Sequence, residues 1–227
     1  MRRLGLASFA FAFAACASAP RPIAMTCRPL GHVHVEGAPL SVRIELRNES
    51  TAPVEVLGID VPWQFRHAVR FEAEPDFADP RVLADPGDPP SLRLAPGGSD
   101  RGDVDITERL IDPSGRSIAR VPGSHRVRAT ARLTLDAGAP TAREVDVSCA
   151  FDLTIQPRES ALGRAYEAAV AAASEAGYDV GRFRAMAAER DDAGWTFDFV
   201  HVHPAPPGGH FAVRVTRDGR TEVIHGR

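Results

Sequence analysis

The chain has 227 residues, which at about 100 to 200 residues per domain allows one or two domains. Hydrophobic residues at 44% and charged residues at 25% are those of an ordinary globular protein. A formal net charge of -3 supplies no field that would recruit nucleic acid or an anionic membrane surface, and every basic residue is Arg, a bias that fits a GC-rich bacterial genome.

The first segment is MRRLGLASFAFAFAACASAP. Arg2 and Arg3 form a positive start, Leu4 to Ala15 an uncharged apolar run, and small residues follow, which is the three-part pattern of a secretory signal over 1–20. The apolar run is too short for a membrane-spanning helix, which needs about 20 residues. Phe13-Ala14-Ala15-Cys16 resembles the lipobox of bacterial lipoproteins, and that resemblance implies lipid attachment at Cys16. The alternative is cleavage after Ala17 and a soluble product. With Ala17 behind the Cys and no Asp there, the expected home is the outer membrane, facing the periplasm.

Setting Cys16 aside leaves Cys27 and Cys149, an even pair in a chain bound for an oxidising compartment. They are read as a disulfide that ties the first and last strands of one domain, with two free thiols as the alternative. Between them the pattern is strands and turns. Leu40, Val42, Ile44 and Leu46 alternate with polar residues, as a half-buried strand requires. Turn residues Asn48 to Pro53 then lead to Val54–Ile59, which predicts a hairpin. Further strands are expected at 91–94, 102–107, 125–136 and 143–155. Val127, Ala129, Ala131, Leu133 and Leu135 share one face, as do Val145, Val147, Cys149, Phe151, Leu153 and Ile155. About seven short strands in roughly 130 residues argue for a β-sandwich.

Leu94-Ala95-Pro96-Gly97-Gly98 followed by a Pro122-Gly123 turn opening a long strand resembles the immunoglobulin-like or fibronectin-like modules of bacterial exported proteins, over about residues 22–156. His125 stands where such modules often carry an aromatic residue. The resemblance implies a binding or spacer role. The stretch 61–90 departs from the sandwich pattern. Its Trp63, Phe65, Phe71 and Phe77 lie among Glu72, Glu74, Asp76, Asp79, Asp85 and Asp88 and six prolines. It is expected to be a long loop, for partner contact, for calcium, or simply solvated.

At Pro157 the period changes. Leu162, Ala165, Tyr166, Ala169, Val170 and Ala173 form an amphipathic stripe, predicting a helix over 158–176 with Pro157 and Glu159 at its start and Gly177 as its left-handed stop. Strands follow at 183–189, 194–203, 209–216 and 221–225, the last two joined at Asp218-Gly219. The expected architecture is therefore an all-β immunoglobulin-like sandwich over 21–156 and a small α+β domain over 157–227, one helix plus an antiparallel β-meander. The helix, Gly194-Trp195-Thr196-Phe197, Gly208-Gly209-His210-Phe211-Ala212-Val213 and Val215-Thr216-Arg217-Asp218-Gly219 together are similar to modules of the PepSY and cystatin or NTF2-like types. That similarity implies immunity proteins, which neutralise toxic effectors, or modules that restrain peptidases.

One constellation could carry chemistry. If 204–209 is the connection, His203 faces His210, and a two-residue turn at Asp218-Gly219 sets Ala212 opposite His225. His201, His203, His210 and His225 would then share one sheet face, and grouped imidazoles hold zinc or copper. Val200, Val202, Phe211, Val213, Val215 and Ile224 would face the helix. The other reading of the His face is a polar surface without a ligand. His32 and His34 have no partners that the pattern can place.

The sequence carries no nucleophile elbow, zinc-protease motif, phosphate loop or dinucleotide fingerprint. Arg101-Gly102-Asp103 and the sequon Asn48-Glu49-Ser50 are three-residue matches of the kind that chance supplies. Three readings remain open: a non-enzymatic envelope lipoprotein that binds a protein partner, as an immunity protein or inhibitor; a structural spacer; and a metal-binding protein using the His face. None involves nucleic acid, and the membrane enters only through the lipid.

Overall fold

The computed structural model describes residues 22–31, 34–57, 69–80, 91–136, 139–201 and 209–226. Nine strands come first: β1 (Ile23–Leu30), β2 (Ser41–Asn48), β3 (Val54–Leu57), β4 (Val69–Ala73), β5 (Phe77–Ala78), β6 (Ser91–Leu94), β7 (Ser99–Asp105), β8 (Gly123–Leu135) and β9 (Arg143–Ile155). One sheet has the order β1-β2-β7. The other is built on the long β8–β9 hairpin, in which Gly123 pairs with Ile155 and Leu135 with Arg143. The second side of β8 carries two short strands end to end, β4 along Val127–Ala131 and β3 at Thr134 and Leu135, extended by β5 and β6. Alternate residues of both sheets meet in one apolar core that includes Ile23, Ile44, Leu46, Phe71, Val127, Leu133 and Ile155. This is a β-sandwich, and each fully buried Leu, Ile or Phe in it contributes about 1.5 to 3 kcal/mol.

Two details of this half correct the sequence reading. β2 and β3 do not form a hairpin, because β2 pairs with β1 and β7 while β3 pairs with β6 and β8. The chain crosses between the sheets at Asn48, fully buried, whose Nδ2 donates to the carbonyls of Ala52 (2.8 Å), Leu94 (3.1 Å) and Ala95 (3.2 Å). Its Oδ1 accepts from the Ser50 backbone N–H (2.9 Å), so one side chain fastens two crossovers. The segment expected as a long loop contains β4 and β5, with Val69, Phe71 and Ala73 alternating into the core. Residues 58–68 and 81–90 lie outside the described residues. His125 is 5% exposed and does the packing expected of an aromatic there: its ring meets Phe77 edge-on at 5.5 Å, and Nε2 lies 2.9 Å from the Val121 carbonyl.

The second half is one helix on a meander. α1 (Ala161–Glu175) starts later than the sequence suggests, since Ser160 is the N-cap and its hydroxyl accepts from the Gly163 N–H at 2.9 Å. Its C-terminus closes on Gly177 (φ 91°), with the Tyr178 N–H bonded to Ala173 O and the Gly177 N–H to Ser174 O, a Schellman motif. The meander is β10 (Phe183–Arg190), β11 (Gly194–His201), β12 (His210–Thr216) and β13 (Thr221–His225), in that spatial order. At the β10–β11 turn Asp191 Oδ1 accepts the N–H groups of Ala193 (2.8 Å) and Gly194 (2.9 Å), which hold its carboxyl below the usual range. A second apolar core unites Ala165, Tyr166, Ala169 and Ala173 of α1 with Phe197, Phe199, Phe211 and Val213 of the sheet. Val35 and Ala38, from the β1–β2 connection, also belong to this second core. They are held there by a parallel bridge between Val35 and Gln156 and by the Glu36 N–H on Gln156 O at 2.9 Å.

Candidate functional site

The positions singled out by sequence have different fates. Cys27 and Cys149 are bonded, with Cα atoms 5.8 Å apart, and join the edge strand β1 of the smaller sheet to the edge strand β9 of the larger. Cys16 and His203 lie outside the described residues. The glycosylation sequon is closed off, because the Asn48 amide is buried and engaged. In the Arg-Gly-Asp tripeptide, Asp103 is bound by Arg43 of β2 at 2.8 and 3.0 Å.

The expected His face is corrected by the strand registers. β11 and β12 pair with Val200 opposite His210 and Phe199 opposite Phe211. The cause is burial: Phe197 and Phe199, both at 0% exposure, claim the helix side, because they remove more apolar surface from water than Val200 and Val202 would. The β12–β13 turn differs as well. Arg217-Asp218-Gly219 is a three-residue loop, with Gly219 left-handed (φ 83°) and the Thr216 N–H on Arg220 O at 2.9 Å, so Phe211 rather than Ala212 faces His225. Both shifts are odd and turn the strands over. His201 and His225 therefore lie on the helix side, and His210 is exposed on the other face. The two helix-side imidazoles serve as aromatic partners. His201 packs edge-on to Phe183 at 5.1 Å, and His225 stacks on Tyr178 at 5.8 Å while its Nδ1 lies 2.6 Å from the Tyr178 hydroxyl. Among the described residues no three His, Cys, Asp or Glu side chains are placed to hold a metal ion, and the zinc or copper reading is set aside.

The same registers create a cleft that the sequence reading missed. Arg190 pairs with Trp195 and Trp195 with Val215, so three strands present these residues in one cross-strand row beneath the first half of α1. Gly194 permits the close approach of β11 to β12, since a Cβ there would sit 2.1 Å from Val215 O. The helix contributes Arg164 and the small residues Ala161, Ala165 and Ala168, which at i, i+4 and i+7 leave room between helix and sheet. Arg217 and Gly219 of the last turn close one end, Arg217 being fixed through its N–H on Ala193 O at 3.1 Å. The cleft has a volume of about 460 Å³. The Arg190 guanidinium lies 5.4 Å from the Trp195 ring centre, a cation–π contact. The chain order of these residues hid them, because Arg190, Trp195 and Arg217 converge only once both registers are known. Of the lining, Ala165 on the helical stripe and Val215 on the helix-facing side of its strand were legible.

A second depression, about 710 Å³, lies against Glu74, Pro75, Ser124, His125, Arg126, Asp152 and Thr154 of the sandwich. Within it Arg126 holds Asp152 at 2.8 Å. Among the described residues of the sandwich, Arg109 and Asp79 form an ion pair at 2.5 Å that is almost fully buried. The guanidinium also donates to Val69 O and lies over the Phe71 ring at 4.8 Å, which makes it a tie between β4 and the loop after β7.

No family model matches the chain, and no curated protein matches it in sequence. Solved structures show loose similarities. The sporulation control protein Spo0M of Bacillus subtilis is 10% identical, over 91% of this chain and 84% of that one, with a TM-score of 0.34. A PapD-like domain of human CEP192 is 10% identical over 68% of this chain and 99% of that domain, with a TM-score of 0.31. A beta-glucosidase from Listeria innocua is 16% identical over 56% of this chain but 16% of its own length, with a TM-score of 0.25. The class of the molecule is set by its own sheets: a β-sandwich followed by a small helix-on-meander module.

Proposed function

We propose that this protein is an exported bacterial envelope lipoprotein, anchored through Cys16 to the outer membrane, that acts by binding a protein partner as an immunity protein or inhibitor does. The observation that carries the exported part is the Cys27–Cys149 disulfide, a bond that persists in oxidising compartments and is kept reduced in the cytosol. It agrees with the signal pattern at the N-terminus. The cleft of the helix-on-meander module supports the binding part, because it sets the aromatic floor of Trp195 beside the side chains of Arg164, Arg190 and Arg217.

The test is fractionation of cells expressing the full chain, combined with the mass of the mature N-terminus. Native protein is expected in the outer-membrane fraction with an acylated first residue, and Cys16→Ala in the soluble fraction. A mature chain that begins at Ser18 without lipid mass refutes the anchor. Crosslinking in intact cells then reads the partner, and an intact, correctly localised protein that crosslinks to no protein refutes the binding role.

A further inference from the structure

We infer that the cleft between α1 and the β10–β12 end of the meander is a docking site for an acidic peptide segment, one in which carboxylates flank an apolar side chain. The inference rests on the binding reading above and gives it a place and a chemistry.

The charge at the cleft is unusual for this module. Elsewhere on it Arg residues sit beside carboxylates: Arg182 with Asp179 at 2.9 Å, Arg220 with Asp218 at 3.0 Å, Arg214 with Glu222 at 3.9 Å. The cleft gathers Arg164, Arg190 and Arg217 and no acidic residue among its lining. Arg217 is paired with fully exposed Asp192 at 3.8 Å, whereas Arg164 donates to the Glu159 backbone carbonyl and Arg190 lies on Trp195, neither beside a carboxylate in the cleft lining. In a protein of net charge -3 this concentration of guanidinium groups is not a property of the overall surface.

The shape selects the ligand class. Guanidinium groups bind carboxylates through paired N–H donors, and three of them around one opening recognise separated charges rather than a single ion. The same lining includes Trp195, Val215 and the methyl groups of Ala161, Ala165 and Ala168, an apolar surface that a carboxylate cannot use but an aliphatic or aromatic side chain can. A cleft of about 460 Å³ that is open to solvent has room for a few residues of a peptide. Single-stranded nucleic acid needs successive stacking platforms along a basic groove, and this cleft has one aromatic floor.

The test uses the full mature chain and a fluorescein-labelled peptide in which Glu and Asp alternate with Leu, with a Gln and Asn version of the same peptide as control. Binding read by anisotropy should be stronger for the acidic peptide and should fall in about 1 M salt, where the Debye length is about 3 Å. Each of Arg164→Gln, Arg190→Gln and Arg217→Gln should weaken it at least about threefold, and the triple variant at least about thirtyfold, as expected for charge-assisted contacts. Arg214→Gln, on the opposite face, should leave it unchanged. These exposed substitutions are checked for an unaltered melting temperature, and Trp195→Leu gives a second route by removing the floor while keeping the charge. Equal binding of the acidic and neutral peptides overturns the inference. So does binding that survives the triple variant, or preference for an oligothymidylate over the acidic peptide. If the triple variant still crosslinks to the native partner in cells, the binding reading stands and this site for it falls.

Discussion

Replacing Asn48 should reveal how much of the sandwich hangs on one amide. Its two N–H groups serve the carbonyls of Ala52, Leu94 and Ala95, and its Oδ1 takes the Ser50 backbone N–H at 2.9 Å and the Ser50 hydroxyl at 2.7 Å. Asn48→Ala removes all of these. The bonds that water can replace contribute about 1 kcal/mol each, and the buried Leu94 carbonyl, left without its donor, costs about 1 to 3 kcal/mol. Allowing for shared donors, the loss is about 3 to 4 kcal/mol, a large part of the roughly 5 to 15 kcal/mol that holds a folded protein together. In urea, with a slope of about 2 kcal/mol per molar, the midpoint should fall by about 1.5 to 2 M. Asn48→Asp is the sharper variant, because it presents a carboxylate to three carbonyl oxygens. It should be less stable than Asn48→Ala at neutral pH, and acidification should narrow the difference as a protonated carboxyl regains one donor. An Asp variant more stable than the Ala variant at pH 7 would refute the assignment of Asn48 as donor to the two crossovers.

Burial raises the Tyr166 hydroxyl to about 12, above its ordinary value of 10.0. The neutral phenol is thus favoured in the folded state, so its contribution is complete below pH 10 and is lost as pH rises through 12. Alkaline unfolding should show a loss of about 2 to 3 kcal/mol across that window, and Tyr166→Phe should abolish it; an unchanged alkaline curve would contradict the burial of this ring. The disulfide closes a sequence separation of 122 residues, which in the chain-entropy model contributes about 4 to 5 kcal/mol. Native protein should show no thiol labelling at Cys27 or Cys149, and the double Ala variant should lower the sandwich's melting transition in calorimetry.

Much of the fold could be read from alternation alone. The faces of β8 and β9, the stripe of α1 and all four meander strands were legible because each repeats its period over several residues. What failed was pairing. The Asn48 turn contains hairpin chemistry, but its side chain reaches carbonyls 46 and 47 positions away, which no local pattern encodes. β4 was hidden by prolines and carboxylates around a five-residue alternation. Within the meander, choosing Val200 and Val202 over Phe197 and Phe199 for the core, and a two-residue turn over a three-residue one, scattered the expected His face and concealed the Arg cleft. Val35 and Ala38 pack into the second core through a contact between distant segments that hydrophobicity alone does not reveal.

The position of the disulfide also determines how the molecule bears tension. A pull applied ahead of β1 and resisted beyond β9 enters at Cys27, crosses the sulfur bridge to Cys149 and continues along the last residues of β9 toward Gln156 and the helix. The chain between the two cysteines, with nearly all of the sandwich, lies in a covalent loop off that line of force. Stretching can peel β1 only up to Cys27 and shear β9 only from Cys149 onward, so the sandwich keeps its core under loads that would unravel a domain tethered through its terminal strands alone. Past the bridge the load falls first on the end of β9 and on Gln156, which Val35 of the sheltered loop braces through a parallel bridge.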